Sequence, residues 1–336
     1  MSPSRRDFLA TSAALTAGAV LGRPLPGFAS PPPYAPQAVQ TMQQANFTPI
    51  RRNVGTFTMR GGTVGWLVDR GGVAVVDTQF PAEAQALLAG LQERSGNRGV
   101  DVLLNTHHHG DHTGGNGVFR GVARRVVAHG MADQHMRRAP QPPQQAQPAQ
   151  QPSAQPAQQQ PTQPPPPPPL YPDLTFTHSW SYEVGEERIV ARHHGRAHTS
   201  GDAVITFERA NVVHMGDLAF HRRHPVVDRA AGASMRNWAR VLEHVVEGHA
   251  RDTIYIFGHA GEGLPVTGSA ADLLQFRDYL GAVLAFVERH VEAGRSREEI
   301  LAMRTPLAGF EAWGPFGQPG ARDPLTVAYE EVTTGA

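Results

Sequence analysis

Apolar and polar residues alternate along 54–59 and 63–68 on either side of the Gly61-Gly62 pair, which predicts two antiparallel strands joined by a turn. The run 73–77 is apolar until Asp77 and reads as a buried strand. From Pro81 to Arg94, Leu87, Leu88 and Leu91 recur at helical spacing, and the proline suits a first turn. Apolar runs at 100–105 and 122–128 predict two further strands, and 130–138 a short helix. Beyond it, strands are predicted at 174–178, 188–192, 203–208, 212–215 and 253–257, with helices at 235–246 and 269–291. Two sets of strands with helices around them suit an α/β fold in four layers, an αββα sandwich with paired central sheets, without demanding it.

Two stretches break this pattern. From 139 to 169 the chain is almost only Pro, Gln and Ala and ends in a six-proline run. Such a segment cannot bury enough apolar surface to offset its ordering entropy, so it reads as a disordered insertion within one domain, with a linker between two domains as the alternative. At the N-terminus, Ser4-Arg5-Arg6-Asp7-Phe8-Leu9 precedes a mildly apolar run through Leu21, and residues 1–29 resemble a twin-arginine signal peptide cleaved after Gly27-Phe28-Ala29. That implies export to the periplasm by a route that carries folded proteins, with no stable membrane span once the signal is removed. A Pro/Gln-rich spacer, 30–45, would then lead into a single domain, 46–336.

Composition narrows the chemistry. The formal net charge is +0 and the 30 basic residues are all arginine without a basic stripe, so nothing points to nucleic acid. With Cys 0, neither disulfides nor thiolate metal sites can form, and His and carboxylate are the strong ligands left.

The predicted strand ending near Leu104 runs directly into Thr106-His107-His108-His109-Gly110-Asp111-His112, at the strand end where α/β folds place chemistry. In an extended segment residues two apart project to one side, so His107 and His109 can share a metal while His108 points elsewhere. Gly110 would let the backbone turn so that Asp111 and His112 face a second position. Asp77 ends its own strand beside this loop. It can orient a ligating imidazole, or merely cap a turn.

Three later segments each place a candidate at a strand end or Gly-containing turn: Arg196-Ala197-His198-Thr199, Met215-Gly216-Asp217-Leu218 and Phe257-Gly258-His259-Ala260. With the opening loop they follow the order His-x-His-x-Asp-His, His, Asp, His, and the chain here resembles the metallo-β-lactamase superfamily. The resemblance implies the αββα metallo-β-lactamase fold and two Zn2+, with iron or manganese as alternatives. It implies that His107, His109 and His198 hold one ion, that Asp111, His112 and His259 hold the other, and that Asp217 bridges them, with Asp111 and Asp217 as the carboxylates of the catalytic site. His108, His193, His194, His214, His221 and His224 match no ligand position.

The implied chemistry is hydrolysis. Two divalent ions less two carboxylates and a shared hydroxide leave about +1, which favours an anionic small-molecule substrate or an oxyanion-like transition state. A metal lowers the pKa of its water from about 15.7 to about 7, so no Ser or Cys nucleophile is required. The resemblance is to an exported hydrolase of an ester, thioester, lactone or amide. β-Lactamase activity is an alternative, although two of its subclasses use a cysteine where Asp217 stands. Hydroxyacylglutathione hydrolases add a basic glutathione-binding C-terminal part, whereas 263–336 has scattered arginines. A mononuclear iron sulfur dioxygenase on the His107, His109, His198 set, or a non-catalytic metal-binding protein, would use the same fold. Arg222 or Arg223 could hold a substrate carboxylate, or be a solvated pair. Substrate and oligomeric state cannot be read from the sequence.

Overall fold

Alternation within single strands divides the apolar residues among three layers of core. In the strand Gly72–Val76, Val73 and Val75 face one cluster while Ala74 and Val76 face another; in the strand Val102–Leu104, Leu103 joins the first and Val102 and Leu104 the second. The computed structural model describes residues 46–138 and 167–335, so the signal peptide, the spacer and 139–166 of the insertion lie outside the described residues. The described residues belong to one compact unit.

The chain runs through β1 (Asn46–Arg51), β2 (Val54–Thr58), β3 (Val64–Asp69), β4 (Gly72–Val76), α1 (Pro81–Ser95), β5 (Val102–Leu104), α2 (Gly110–Thr113), β6 (Val126–His129), α3 (Gly130–Arg138) and β7 (Leu174–Phe176). These strands form a seven-stranded sheet in sequential order, antiparallel from β1 to β4 and parallel from β4 to β7. Then come β8 (Ser179–Val184), β9 (Glu187–Arg192), β10 (Val204–Phe207), β11 (Val212–His214), β12 (Phe220–His221), α4 (Met235–Glu247), β13 (Ile254–Ile256), β14 (His259–Ala260), β15 (Thr267–Gly268), α5 (Ala270–Glu292), α6 (Arg297–Leu301) and α7 (Pro324–Thr334). The second sheet has the order β15-β13-β11-β10-β9-β8, and β12 pairs with β14 apart from it.

The central cluster takes side chains from both sheets, from Val54 and Leu67 on one to Ile205 and Ile256 on the other. α1 covers the outer face of the first sheet with Leu87 and Leu91, four residues apart, while α4, α5 and α7 cover the outer face of the second around Trp238, Tyr279 and Leu325. This is the expected αββα sandwich. No described helix is long and apolar enough to cross a membrane.

The structure differs from the sequence reading in places. Five strands are not predicted by the pattern: the two-residue strands β12, β14 and β15, and the longer β1 and β8. The two longer ones are edge strands, and the interior proline of β1, Pro49, is compatible with an edge because no second neighbour needs its missing N–H. β6 begins at Val126, whereas the pattern predicts a strand from 122; the earlier residues make one isolated bridge, Val100 to Ala123. Prolines 167–169, at the end of the run, lie against the domain, with Arg120 donating to the Pro169 carbonyl at 2.7 Å.

Candidate metal centre

The parallel strands β4 and β5 end side by side, and their C-terminal ends build the floor of the site. Asp77, directly after β4, has a left-handed backbone (φ 66), a strained conformation for a non-glycine residue. Its carboxylate repays this by accepting Thr106 N at 2.8 Å, Thr106 Oγ1 at 2.7 Å and His112 Nδ1 at 2.7 Å. Of the two readings of Asp77, the orienting one is therefore what the structure shows. Gly110 is a correction: its φ is not positive and a Cβ there would meet nothing, so the turn into Asp111 is an ordinary helical one, α2, with His109 at its N-cap. The glycines that the site does need are elsewhere. A Cβ on Gly62 would fall 2.1 Å from the His112 ring, and one on Gly258 2.1 Å from Asp217 Oδ1.

All seven sequence-predicted residues come together in two adjoining groups. His107, His109, His198 and Asp217 present ligand atoms within 4.8 Å of one another, as do Asp111, His112 and His259. His107 Nε2 and His198 Nε2 lie 3.1 and 2.9 Å from His109 Nδ1. Asp217 stands between the groups, with Oδ2 3.5 Å from His198 Nε2 and Oδ1 3.0 Å from His112 Nε2 and 3.4 Å from His259 Nε2. The floor is closed, and the mouth is formed by Asp111 (28% exposed), His109 and His259.

Proton accounting shows what such a site requires. His198 Nδ1 faces the Val226 carbonyl at 2.7 Å, which can only accept, so the ring carries its proton there and Nε2 offers a lone pair. His109 Nε2 faces the Asp228 carboxylate at 2.9 Å, and the same logic leaves Nδ1 with the lone pair. Thr106 Oγ1 gives its proton to Asp77, so His107 Nδ1 at 3.1 Å is the donor and Nε2 is bare. Three lone pairs thus converge. His112 donates Nδ1–H to Asp77 and turns Nε2 towards Asp217 Oδ1 at 3.0 Å; against burial, these two carboxylates hold the ring protonated in the metal-free chain, well above the ordinary imidazole value, so its Nε2 proton must leave before it can bind an ion. Convergence of lone pairs is repulsive unless cations sit between the atoms, and five imidazoles with two carboxylates suit zinc or iron. The residues fit a pair of metal ions.

Charge states divide the two groups, with His112 raised against burial by Asp217 and Asp77 and the three-histidine side lowered. Burial, followed by the charges of neighbouring histidines, holds His107 well below the ordinary imidazole value, and burial holds His198 at about 3, so both are neutral ligands near pH 7. Burial opposes a charge on His259, but Asp217 and then Asp111 push it up to about 8 from 6.5. In the metal-free chain this pairing stabilises the fold fully below pH 6.5 and is lost as pH rises through about 8. Metal uptake has the opposite sign, because the proton must leave. Zinc affinity at the Asp111, His112, His259 group is expected to rise by about tenfold per pH unit or more between 6.5 and 8, because both His259 and His112 must lose a proton, with proton release measured by calorimetry in buffers of different ionisation enthalpy. A flat profile contradicts the assignment.

Most of the histidines that match no ligand position find other partners, while His194 keeps a buried Nε2 without a hydrogen-bond partner. His108 turns from the cluster towards His135, with ring centroids 4.8 Å apart. His214 is buried, with Nε2 on the Thr63 carbonyl at 3.1 Å and Nδ1 accepting Gly216 N at 3.1 Å, bracing the turn that carries Asp217. His193 and His224 bind backbone carbonyls of Asp202 and Pro315, and His221 that of Pro265. Arg223 lines a cleft of about 440 Å3 beside His259 together with Arg60, while Arg222 has a left-handed backbone and a buried Nε without a partner. Sequence reasoning missed Asp228, which touches His109, and Arg322, 3.0 Å from Asp228. Neither belongs to a motif, and they lie 119 and 213 residues from His109 along the chain.

Comparisons with known proteins agree with this geometry. Residues 58–259 match the family model described as the metallo-beta-lactamase superfamily, and residues 2–22 match the twin-arginine translocation signal sequence. Among solved structures, a metallo-beta-lactamase from Pontibacter korlensis superposes with a TM-score of 0.53 at 17% identity, over 71% of this chain and 99% of that one. The DIM-1 metallo-beta-lactamase gives 0.54 at 14% identity, over 71% and 97%, and the metallo-beta-lactamase IND-7 gives 0.51 at 17%, over 70% and 98%. At these identities the likeness is one of fold. No curated protein matches the sequence significantly.

Proposed function

The chain belongs to the metallo-β-lactamase superfamily and carries a twin-arginine signal, and from that premise we propose that it is a periplasmic, dinuclear metal-dependent hydrolase of an ester, thioester, lactone or amide. The observation that carries the reading is the convergence of the His107, His109 and His198 lone pairs, each turned inward by a hydrogen bond on the far side of its ring, beside an Asp217 that also faces the Asp111, His112, His259 group. His107, His109 and His198 would hold one ion, Asp111, His112 and His259 the other, and Asp217 both. Zinc is the ion the donor set suits best. When bound, the ions supply a nucleophilic water at neutral pH and polarise the scissile carbonyl.

The chain's own residues do the rest. Asp77 and Asp228 hold His112 and His109 in the required tautomers. Asp111 lies at the mouth beside His259 and can accept a proton there as the carbonyl is attacked. Arg223 and Arg60 line the adjoining cleft and favour a substrate with a carboxylate or another anionic group, Arg60 being already paired with Glu83. The lack of cysteine moves the reading away from β-lactamases that need one at the position of Asp217. The test is turnover of an ester, thioester, lactone, phosphodiester and β-lactam panel by protein whose metal content has been measured. Hydrolysis of a carbonyl substrate is expected; two ions per chain with no turnover anywhere contradicts the reading.

A further inference from the structure

The C-terminal segment lies beyond the family-matched span, yet one of its side chains reaches Asp228, the carboxylate that binds His109. Arg322 is fixed from both sides. Its carbonyl accepts Val227 N at 3.0 Å, and the next residue, Asp323, caps α7 through Thr326 N at 2.9 Å and pairs with Arg304 at 2.9 Å. The Arg322 guanidinium is thereby delivered 3.0 Å from Asp228 Oδ2, the same oxygen that accepts His109 Nε2–H at 2.9 Å. Asp228 Oδ1 accepts Ala231 N at 3.2 Å, so both carboxylate oxygens are tied.

His108, His109 and Asp228 also lie close enough to one another to suggest a cation site of their own, with His108 Nε2 3.8 Å from Asp228 Oδ2. Arg322 argues against that. It already places a fixed positive charge on Asp228, a cation there would sit beside the guanidinium, and His109 would have to give up its Nε2 proton to bind it. We propose instead that Arg322 is a positioning residue of the metal centre: it holds Asp228 Oδ2 on His109 Nε2–H, which fixes the ring and leaves Nδ1 facing His107 and His198. This rests on the reading of His107, His109 and His198 as one ligand set.

Zinc titrations against a chromophoric chelator, with metal content by mass spectrometry, test this on wild type, Arg322→Gln and Arg322→Lys. Wild type is expected to take two ions. Arg322→Gln is expected to lose about 10- to 100-fold in affinity for one ion alone, the range typical of an outer-shell partner, and to change the visible spectrum of the cobalt-loaded protein. Arg322→Lys is expected to recover most of the affinity, since a single carboxylate oxygen can be met by an ammonium group. Metal-free melting temperatures should agree, because Arg322 is 55% exposed and its anchor to Val227 is through the backbone. Wild-type affinity for both ions in Arg322→Gln, or equal weakening of both with a lowered metal-free melting temperature, overturns the role of Arg322 alone. A third ion in wild type overturns it in favour of the His108, His109, Asp228 site. Uptake of fewer than two ions by wild type overturns the ligand reading beneath it.

Discussion

Replacement of Asp217 by Asn is expected to reduce bound metal from two ions to one or none and to lower hydrolysis by about 10³-fold or more. Its two oxygens face different groups of histidines, Oδ2 towards His198 and Oδ1 towards His112 and His259, so one substitution removes the negative charge from both sides at once. Losing a shared ligand should exceed the roughly 10- to 100-fold cost of losing an outer-shell partner. A second readout does not depend on catalysis. In metal-free protein the His259 pKa is pushed up to about 8, against burial, first by Asp217 and then by Asp111, so Asn at 217 should lower it. Titration of the histidine resonances checks this, and an unchanged value would show that Asp217 does not face His259.

The second large effect separates neighbours in the sequence. His109→Ala should abolish hydrolysis and cost about 100-fold or more in affinity for one ion, whereas His108→Ala should keep both ions and most activity. The physical reason is the alternation of an extended segment: His109 Nδ1 meets His107 and His198, while His108 turns to His135 and Asp228. Equal losses in the two variants, measured by metal content and turnover side by side, would contradict the alternation.

These expectations divide along the line between local and long-range information. The ligands could be found in the sequence because each sits at a strand end or a glycine turn, and because four of them crowd into six residues after an apolar run. Asp77 was legible as a strand-terminating acid near that loop, but its contact with His112 could be established only in the structure, where β4 and β5 pair in parallel and bring it within 2.7 Å. Asp228 and Arg322 carried no local signal. Asp228 follows an ordinary Pro-Val-Val run, and Arg322 lies in an irregular stretch rich in glycine and proline, so only the return of the C-terminal segment onto Val227 places them. The edge strand β8 did leave a trace, since Trp180, Tyr182 and Val184 alternate with polar residues. Gly110 shows the opposite error, a glycine read as conformationally necessary where the backbone is ordinary.

Anomalous scattering at the zinc edge from crystals of the zinc-loaded protein tests the central claim most directly. The account predicts two peaks about 3.5–4 Å apart on either side of Asp217. One should lie about 2.0–2.1 Å from His107 Nε2, His109 Nδ1 and His198 Nε2, and the other at similar distances from His112 Nε2, His259 Nε2 and an Asp111 oxygen. A single peak, or a peak between His108 and Asp228 in place of either, would contradict it.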